Sequence, residues 1–322
     1  MVTNQGRDVG LSVVIPCYRS ARTLPELVRR IVDVLAATSS SFEVVLVVDG
    51  SPDDTWEVAQ SLAAAHAPVE AMRLSRNYGQ HNALLAGIRS VRYDTIITMD
   101  DDLQHVPEEI PRMVAALVPE LDLVYGVPEV EEHGYLRSFA SRNVKALMTL
   151  GLGIENARDI SAFRIFRTRL RDAFVGLDGP QASIDVALSW ATTRTGTSVV
   201  RMDRRAEGKS NYTLRGLIRH AISTTIAYST LPLRLVGYLG LLCGALGVVL
   251  LVIVLWEFFS GSTTVAGFTT VASMVAIFSG AQMVALGVLG EYIARLHSEN
   301  LGQPTYVIGE QTRSQARDGR LA

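Results

Sequence analysis

A chain of 322 residues with 30 Lys and Arg against 32 Asp and Glu has a formal charge of -2, which argues against nucleic-acid binding by bulk electrostatics. Hydrophobic residues make up 48% of it and the excess lies in the last third, so a soluble part joined to a membrane part is expected. Cys17 ends an apolar run and Cys243 lies in a long apolar segment, a poor placing for a disulfide that suits a reducing, cytosolic setting.

Residues 1–10 are polar and lack the apolar core of a signal peptide, so the first domain is expected to stay on the side of synthesis. Short apolar runs at residues 11–16, 44–48, 69–74, 95–99 and 121–125 read as buried strands, with helices between them. Thr23 followed by Pro25 and Glu26 reads as a helix start. Asp53 or Asp54 is placed to cap the next helix, with Trp56, Ala59 and Leu62 as its apolar face. This alternation implies an α/β domain with a mostly parallel sheet covered on both faces. Ligands of such sheets sit at the C-terminal strand ends. There the chain places Pro16-Cys17-Tyr18-Arg19 after the first strand, Asp49-Gly50-Ser51 after the second and Asp100-Asp101-Asp102 after the fourth.

From about residue 135 the pattern becomes helical. Residues 213–229 mix Leu217, Ile218, Ala221, Ile222 and Ile226 with Arg215, Arg219 and His220, as expected of an amphipathic helix on a membrane surface. Residues 235–256 and 265–289 carry no charge, and at about 1.5 Å per residue each spans a bilayer core of roughly 30 Å. Arg201, Arg204, Arg205, Lys209, Arg215, Arg219 and Arg234 crowd the flank before the first span, the connection at 260–264 has no basic residue, and Arg295 follows the second. The positive-inside rule then puts both termini in the cytosol. The expected order is a catalytic domain at 1–212, an interfacial helix at 213–232, spans at 233–259 and 265–290, and a cytosolic tail at 291–322.

Three consecutive carboxylates straight after an apolar strand repel one another unless a cation neutralises them. Their hard oxygen donors suit Mg²⁺ or Mn²⁺, which would bridge the phosphates of a nucleotide diphosphate. In an extended turn Asp100, Asp102 and Gln104 share one side at period two, and Asp101 points away.

The segments Val14-Ile15-Pro16-Cys17-Tyr18-Arg19, Val47-Val48-Asp49-Gly50-Ser51, Ser75-Arg76-Asn77-Tyr78-Gly79-Gln80 and Asp100-Asp101-Asp102-Leu103-Gln104, in that order, resemble the family 2 glycosyltransferases, and within them the polyprenyl-phosphate glycosyltransferases. The likeness runs to about residue 306 and includes Leu286-Gly287-Val288-Leu289-Gly290-Glu291-Tyr292. It implies a GT-A fold, a Rossmann-like nucleotide-sugar domain, with a cytosolic active site at the cell membrane. It implies a nucleotide-sugar donor, a polyprenyl-phosphate acceptor such as undecaprenyl phosphate, a Mg²⁺ or Mn²⁺ cofactor, and a homo-oligomer as one possible state. Pro16, Tyr18, Arg19, Asp49, Ser51 and Asp100 would hold the nucleotide-sugar, and Asp100, Asp102 and Gln104 the metal and diphosphate. Val48 stands where the pattern has a first acidic residue, and Gln80 where many members have Lys.

For the acceptor phosphate the resemblance points to Arg137 and Ser141, four apart on one face of an expected helix, and to Arg205 and Lys209 in Arg205-Ala206-Glu207-Gly208-Lys209-Ser210. Asp159, before the Phe163-Arg164 pair, is implied as a base or as a residue orienting the acceptor. The implied reaction is an inverting transfer to a lipid phosphate. A processive polysaccharide synthase would need a Gln-x-x-Arg-Trp motif, which the sequence lacks. A catalytically silent nucleotide-binding membrane scaffold is the other alternative.

Overall fold

The computed structural model describes residues 9–129, 159–174, 183–203, 231–260, 267–301 and 304–312. Residues 213–230 of the expected interfacial helix lie outside them, as do Arg137, Ser141, Arg205 and Lys209. The chain divides into two compact units. One holds residues 1–149, 154–211 and 303–322, and the other holds residues 150–153 and 212–302.

In the first unit the apolar runs form β1 (Leu11–Cys17), β2 (Phe42–Val48), β3 (Val69–Leu74), β4 (Thr95–Thr98) and β5 (Leu123–Pro128). Between them stand α1 (Leu24–Thr38), α2 (Thr55–Ala65), α3 (Gln80–Ser90) and α4 (Ile110–Ala116). Then come β6 (Arg164–Arg167), α5 (Ile184–Ala191), β7 (Thr195–Val200) and, close to the C-terminus, β8 (Ile308–Gln311). The eight strands form one sheet in the order β7-β5-β6-β4-β1-β2-β3-β8. The central pairs β4-β1, β1-β2 and β2-β3 are parallel, as is β5-β7.

Side chains alternate across the sheet with a period of two, which is why uninterrupted apolar strands are buried on both faces. Val13, Ile15, Leu46 and Val48 meet Leu24, Leu27, Ile31 and Leu35 of α1 on one face. Val14, Val45 and Val47 meet Leu84, Leu85 and Ile88 of α3 on the other. Pro25 opens α1 as expected. At the start of α2 the N-cap is Asp54, and Asp53 accepts the hydroxyls of Ser51 at 2.5 Å and Thr55 at 2.6 Å. Trp56 and Ala59 are buried as the apolar face required.

Two expectations are corrected. The region after residue 135 is not purely helical, because β6 and β7 extend the sheet. The sheet is mostly parallel as expected, with β4-β6, β5-β6 and β3-β8 pairing antiparallel. Residues 291–322 are not simply a tail, because 308–311 cover the free edge of β3, where unpaired N–H and C=O groups would otherwise face outward.

The second unit contains two long helices, α6 (Leu231–Phe259) and α7 (Phe268–Asn300). Among the described residues, Ile277–Ala294 is long and apolar enough to cross a membrane, while Leu235–Leu250 is apolar over a shorter length. Leu241, Leu242, Trp256, Ile277 and Met283 are among their exposed side chains.

Candidate active site

The C-terminal ends of β1, β2 and β4 open on one edge of the sheet, as the parallel order of those strands requires. A cleft of about 960 Å³ lies there, lined by Pro16, Tyr18, Arg19, Asp49 and all three consecutive aspartates among others. The sequence motifs therefore converge, with each side chain put to a particular use.

After β1 the chain turns sharply. Arg19 has a φ of 57°, unusual for a residue with a side chain, and its N–H donates to the Ser51 hydroxyl at 2.8 Å. The Arg19 guanidinium lies 5.5 Å from the centre of the exposed Tyr18 ring. Ser51, expected to touch nucleotide, is buried and ties the β1 loop to the start of α2.

After β2, Asp49 is buried, and its two oxygens accept the backbone N–H groups of Tyr78 at 2.7 Å and Gly79 at 2.8 Å. Burial raises its pKa, with those two hydrogen bonds opposing. Asp49 therefore clamps the β3–α3 loop as one wall of the cleft. Gly50 makes the close approach possible: its φ is 56°, and a Cβ there would stand 2.3 Å from the Arg76 carbonyl carbon.

After β4 the acidic turn is bent where an extended one was expected. Leu103 has a φ of 62° and breaks the period-two alternation. Asp101, expected to point away, lines the same cleft as its neighbours and accepts the Tyr18 N–H at 3.0 Å. Burial raises its pKa to about 6, with the charges of Asp100 and Asp102 adding to the rise. Asp100 accepts the side-chain amide of Gln80 at 2.7 Å, and Asp102 accepts the Gln104 N–H at 3.1 Å. Gln80 thus gains a contact that sequence alone left open.

Residues missed in the sequence include His105, buried directly after the motif. Its Nδ1 accepts the Asp100 N–H at 3.0 Å, and its ring stacks on Phe163 with centroids 5.3 Å apart. Burial lowers its pKa to about 4, so the ring is neutral. A histidine directly after the acidic motif was the available signal. Arg164 was also missed as a core group: it is fully buried, bonds the Thr98 hydroxyl at 3.0 Å and pairs with Asp185.

Asp159 stands in the turn before β6. The antiparallel register of β6 against β4, in which Arg164 faces Thr98, carries the preceding residues past the end of β4. It reaches this edge of the sheet but does not line the cleft.

Among the described residues no group of three or more His, Cys, Asp or Glu side chains is placed to hold a metal ion. Asp100 and Asp102 line the cleft and Gln104 does not; two carboxylates suit Mg²⁺ or Mn²⁺ at a phosphate site, because such ions keep waters and take one or two carboxylates plus substrate phosphates.

Residues 12–174 match the model of the family described as Glycosyl transferase family 2. An undecaprenyl-phosphate 4-deoxy-4-formamido-L-arabinose transferase of Sodalis glossinidius (strain morsitans) is 33% identical over 303 residues, 92% of each chain. The protein of the same description in Shewanella sediminis (strain HAW-EB3) is 33% identical over 321 residues, 97% of each chain.

Proposed function

From the premise that this chain belongs to glycosyl transferase family 2 and is a glycosyltransferase, we propose that it moves a sugar from a nucleotide-sugar to a polyprenyl phosphate, with undecaprenyl phosphate, the acceptor in its relatives' names, as the acceptor. The observation that carries this reading is the cleft where the Tyr18-Arg19 loop, the Asp49 clamp and the acidic turn meet. Pro16, Tyr18, Arg19 and the Asp49 loop would receive the nucleotide, and Ser51 would act by holding Arg19. Asp100, Asp102 and Gln104 would hold Mg²⁺ or Mn²⁺. When bound, such a cation supplies positive charge to the diphosphate leaving group.

Arg137, Ser141, Arg205 and Lys209 would hold the acceptor phosphate, with Asp159 orienting it. The Asp203 N–H donates to the Gln104 carbonyl at 2.9 Å, and Arg205 follows two residues later in the chain. A lipid phosphate with a second pKa near 6 is already largely ionised at neutral pH, so its oxygen attacks the anomeric carbon without needing a strong base. A single displacement inverts that centre. Catalysis is then mostly positioning and charge stabilisation.

The exposed apolar side chains of α6 and α7 support membrane attachment. Two spans, an interfacial helix at 213–232 and cytosolic termini complete the proposed topology. The test is transfer from a panel of radiolabelled nucleotide-sugars to undecaprenyl phosphate by the full chain in detergent, with and without Mg²⁺ or Mn²⁺. Cation-dependent glycolipid is expected; turnover independent of the lipid would sink the acceptor assignment.

A further inference from the structure

Adjacent carboxylates repel at close range, and Leu103 adds backbone strain, so the turn after β4 holds its shape only if other groups pin it. The pins are on three sides. Gln80 holds the Asp100 carboxylate, the Tyr18 N–H holds Asp101, and His105 accepts the Asp100 N–H. Of these, His105 alone also reaches across to the chain that leaves β7. Its backbone forms an antiparallel bridge with Met202, beside the bond from the Asp203 N–H to the Gln104 carbonyl. Its ring, 6% exposed, stacks on Phe163 at an interplanar angle of 24°.

We infer that His105 is a positioning residue: by accepting the Asp100 N–H it fixes the backbone of the acidic turn, and by bridging Met202 it fixes that turn against residues 201–203. The inference rests on the reading of Asp100 and Asp102 as cation residues. A backbone N–H can donate to Nδ1 only if Nδ1 carries the lone pair, so the ring's proton sits on Nε2. Acceptance at the Nδ1 position and stacking on Phe163 are separable. Asn offers an acceptor near the Nδ1 position but no ring; Phe offers the ring but no acceptor.

The test uses the full chain in detergent micelles with Mn²⁺ alone as probe, read by electron paramagnetic resonance without donor or turnover. Exchange of the Asp100 amide is followed in parallel by hydrogen–deuterium exchange. His105→Phe is expected to bind Mn²⁺ about tenfold more weakly and to exchange the Asp100 amide at least about tenfold faster, the effect of leaving one N–H without its acceptor. His105→Asn should stay within about threefold of the parent on both readouts. The reverse order, with Phe harmless and Asn damaging, would overturn the inference in favour of ring packing. Should His105→Phe fail to fold, His105→Asn decides alone: retained Mn²⁺ affinity supports the acceptor role and its loss overturns it. Asp102→Ala separates the premise from the inference. If that variant keeps Mn²⁺ the cation reading falls; if it loses Mn²⁺ while both His105 variants match the parent, only the positioning role falls.

Discussion

Gly50→Ala tests whether the Asp49 clamp shapes the donor cleft. A Cβ at residue 50 would stand 2.3 Å from the Arg76 carbonyl carbon and 2.4 Å from the Asn77 nitrogen. Ordinary contact needs about 3.5 Å, so the Arg76–Asn77 peptide has to retreat by about 1 Å. Tyr78 and Gly79, next in the chain, donate to Asp49 at 2.7 and 2.8 Å, and a 1 Å retreat takes both bonds beyond hydrogen-bonding distance. Bonds to a charged group contribute about 1.5–3 kcal/mol each, and a left-handed alanine costs about 1–2 kcal/mol, so the expected loss is about 4 kcal/mol or more. Gly79→Ala is the matched control. Its φ of 92° is also unfavourable, but no atom lies within 4 Å of a Cβ there, so only about 1–3 kcal/mol of backbone strain is expected. Urea unfolding of the full chain, with UDP and GDP binding measured by calorimetry, separates the two. Equal destabilisation, or intact nucleotide binding in Gly50→Ala, would refute the clamp.

Asp102→Ala should lower cation-dependent transfer by roughly 10²–10³-fold with the unfolding midpoint little changed, measured by radiolabelled glycolipid formation. The raised pKa of Asp49 gives stability and binding opposite signs on acidification. From the raised folded value down to the ordinary carboxylate value, the folded state takes up the proton first, so the stability cost of its buried charge is relieved as pH falls. Nucleotide affinity should drop over the same window, because protonation removes an acceptor from Tyr78 or Gly79; parallel pH titrations of unfolding and nucleotide binding check both signs. Arg164→Met should cost about 3–5 kcal/mol by leaving Asp185 without its buried partner, and Arg164→Met with Asp185→Leu should recover most of it in chemical unfolding.

The runs at 11–16, 44–48 and 95–99 were legible because a strand buried on both faces is almost wholly apolar, a local property, whereas β3, Val-Glu-Ala-Met-Arg-Leu, shows its buried positions between Glu70 and Arg73. The strands that escaped notice are paired from afar and carry weak local signals. β6 reads Arg-Ile-Phe-Arg, with a charge at each end. β7 opens Thr-Gly-Thr-Ser, and β8 is Ile-Gly-Glu-Gln, an edge strand held by β3 more than 200 residues earlier. At the site, the positions of Asp49 and the acidic turn were legible, because polar residues directly after buried strands have to emerge at the sheet's edge. Their partners were not. Whether a carboxylate faces a ligand or a backbone N–H depends on loops brought together by the fold, and a non-glycine φ near 60°, as at Arg19 and Leu103, has no reliable signature in sequence.

Several polar groups at these strand ends spend hydrogen bonds on loop backbone. Asp49 holds Tyr78 and Gly79, Ser51 holds Arg19, Asp101 holds Tyr18 and His105 holds Asp100. Each bond orders a loop when the chain folds, so less ordering is left to be done when a ligand arrives. The bonds also join the loops into one network: the β1 loop is tied to β2 through Ser51 and to β4 through Asp101, and the acidic turn is tied to α3 through Gln80. In such a network, removing a carboxylate that touches no ligand still moves the groups that do. Loss of activity on substituting Asp101 or Ser51 would therefore not identify either as a ligand, whereas cation and nucleotide affinities measured separately would distinguish a displaced loop from a missing contact.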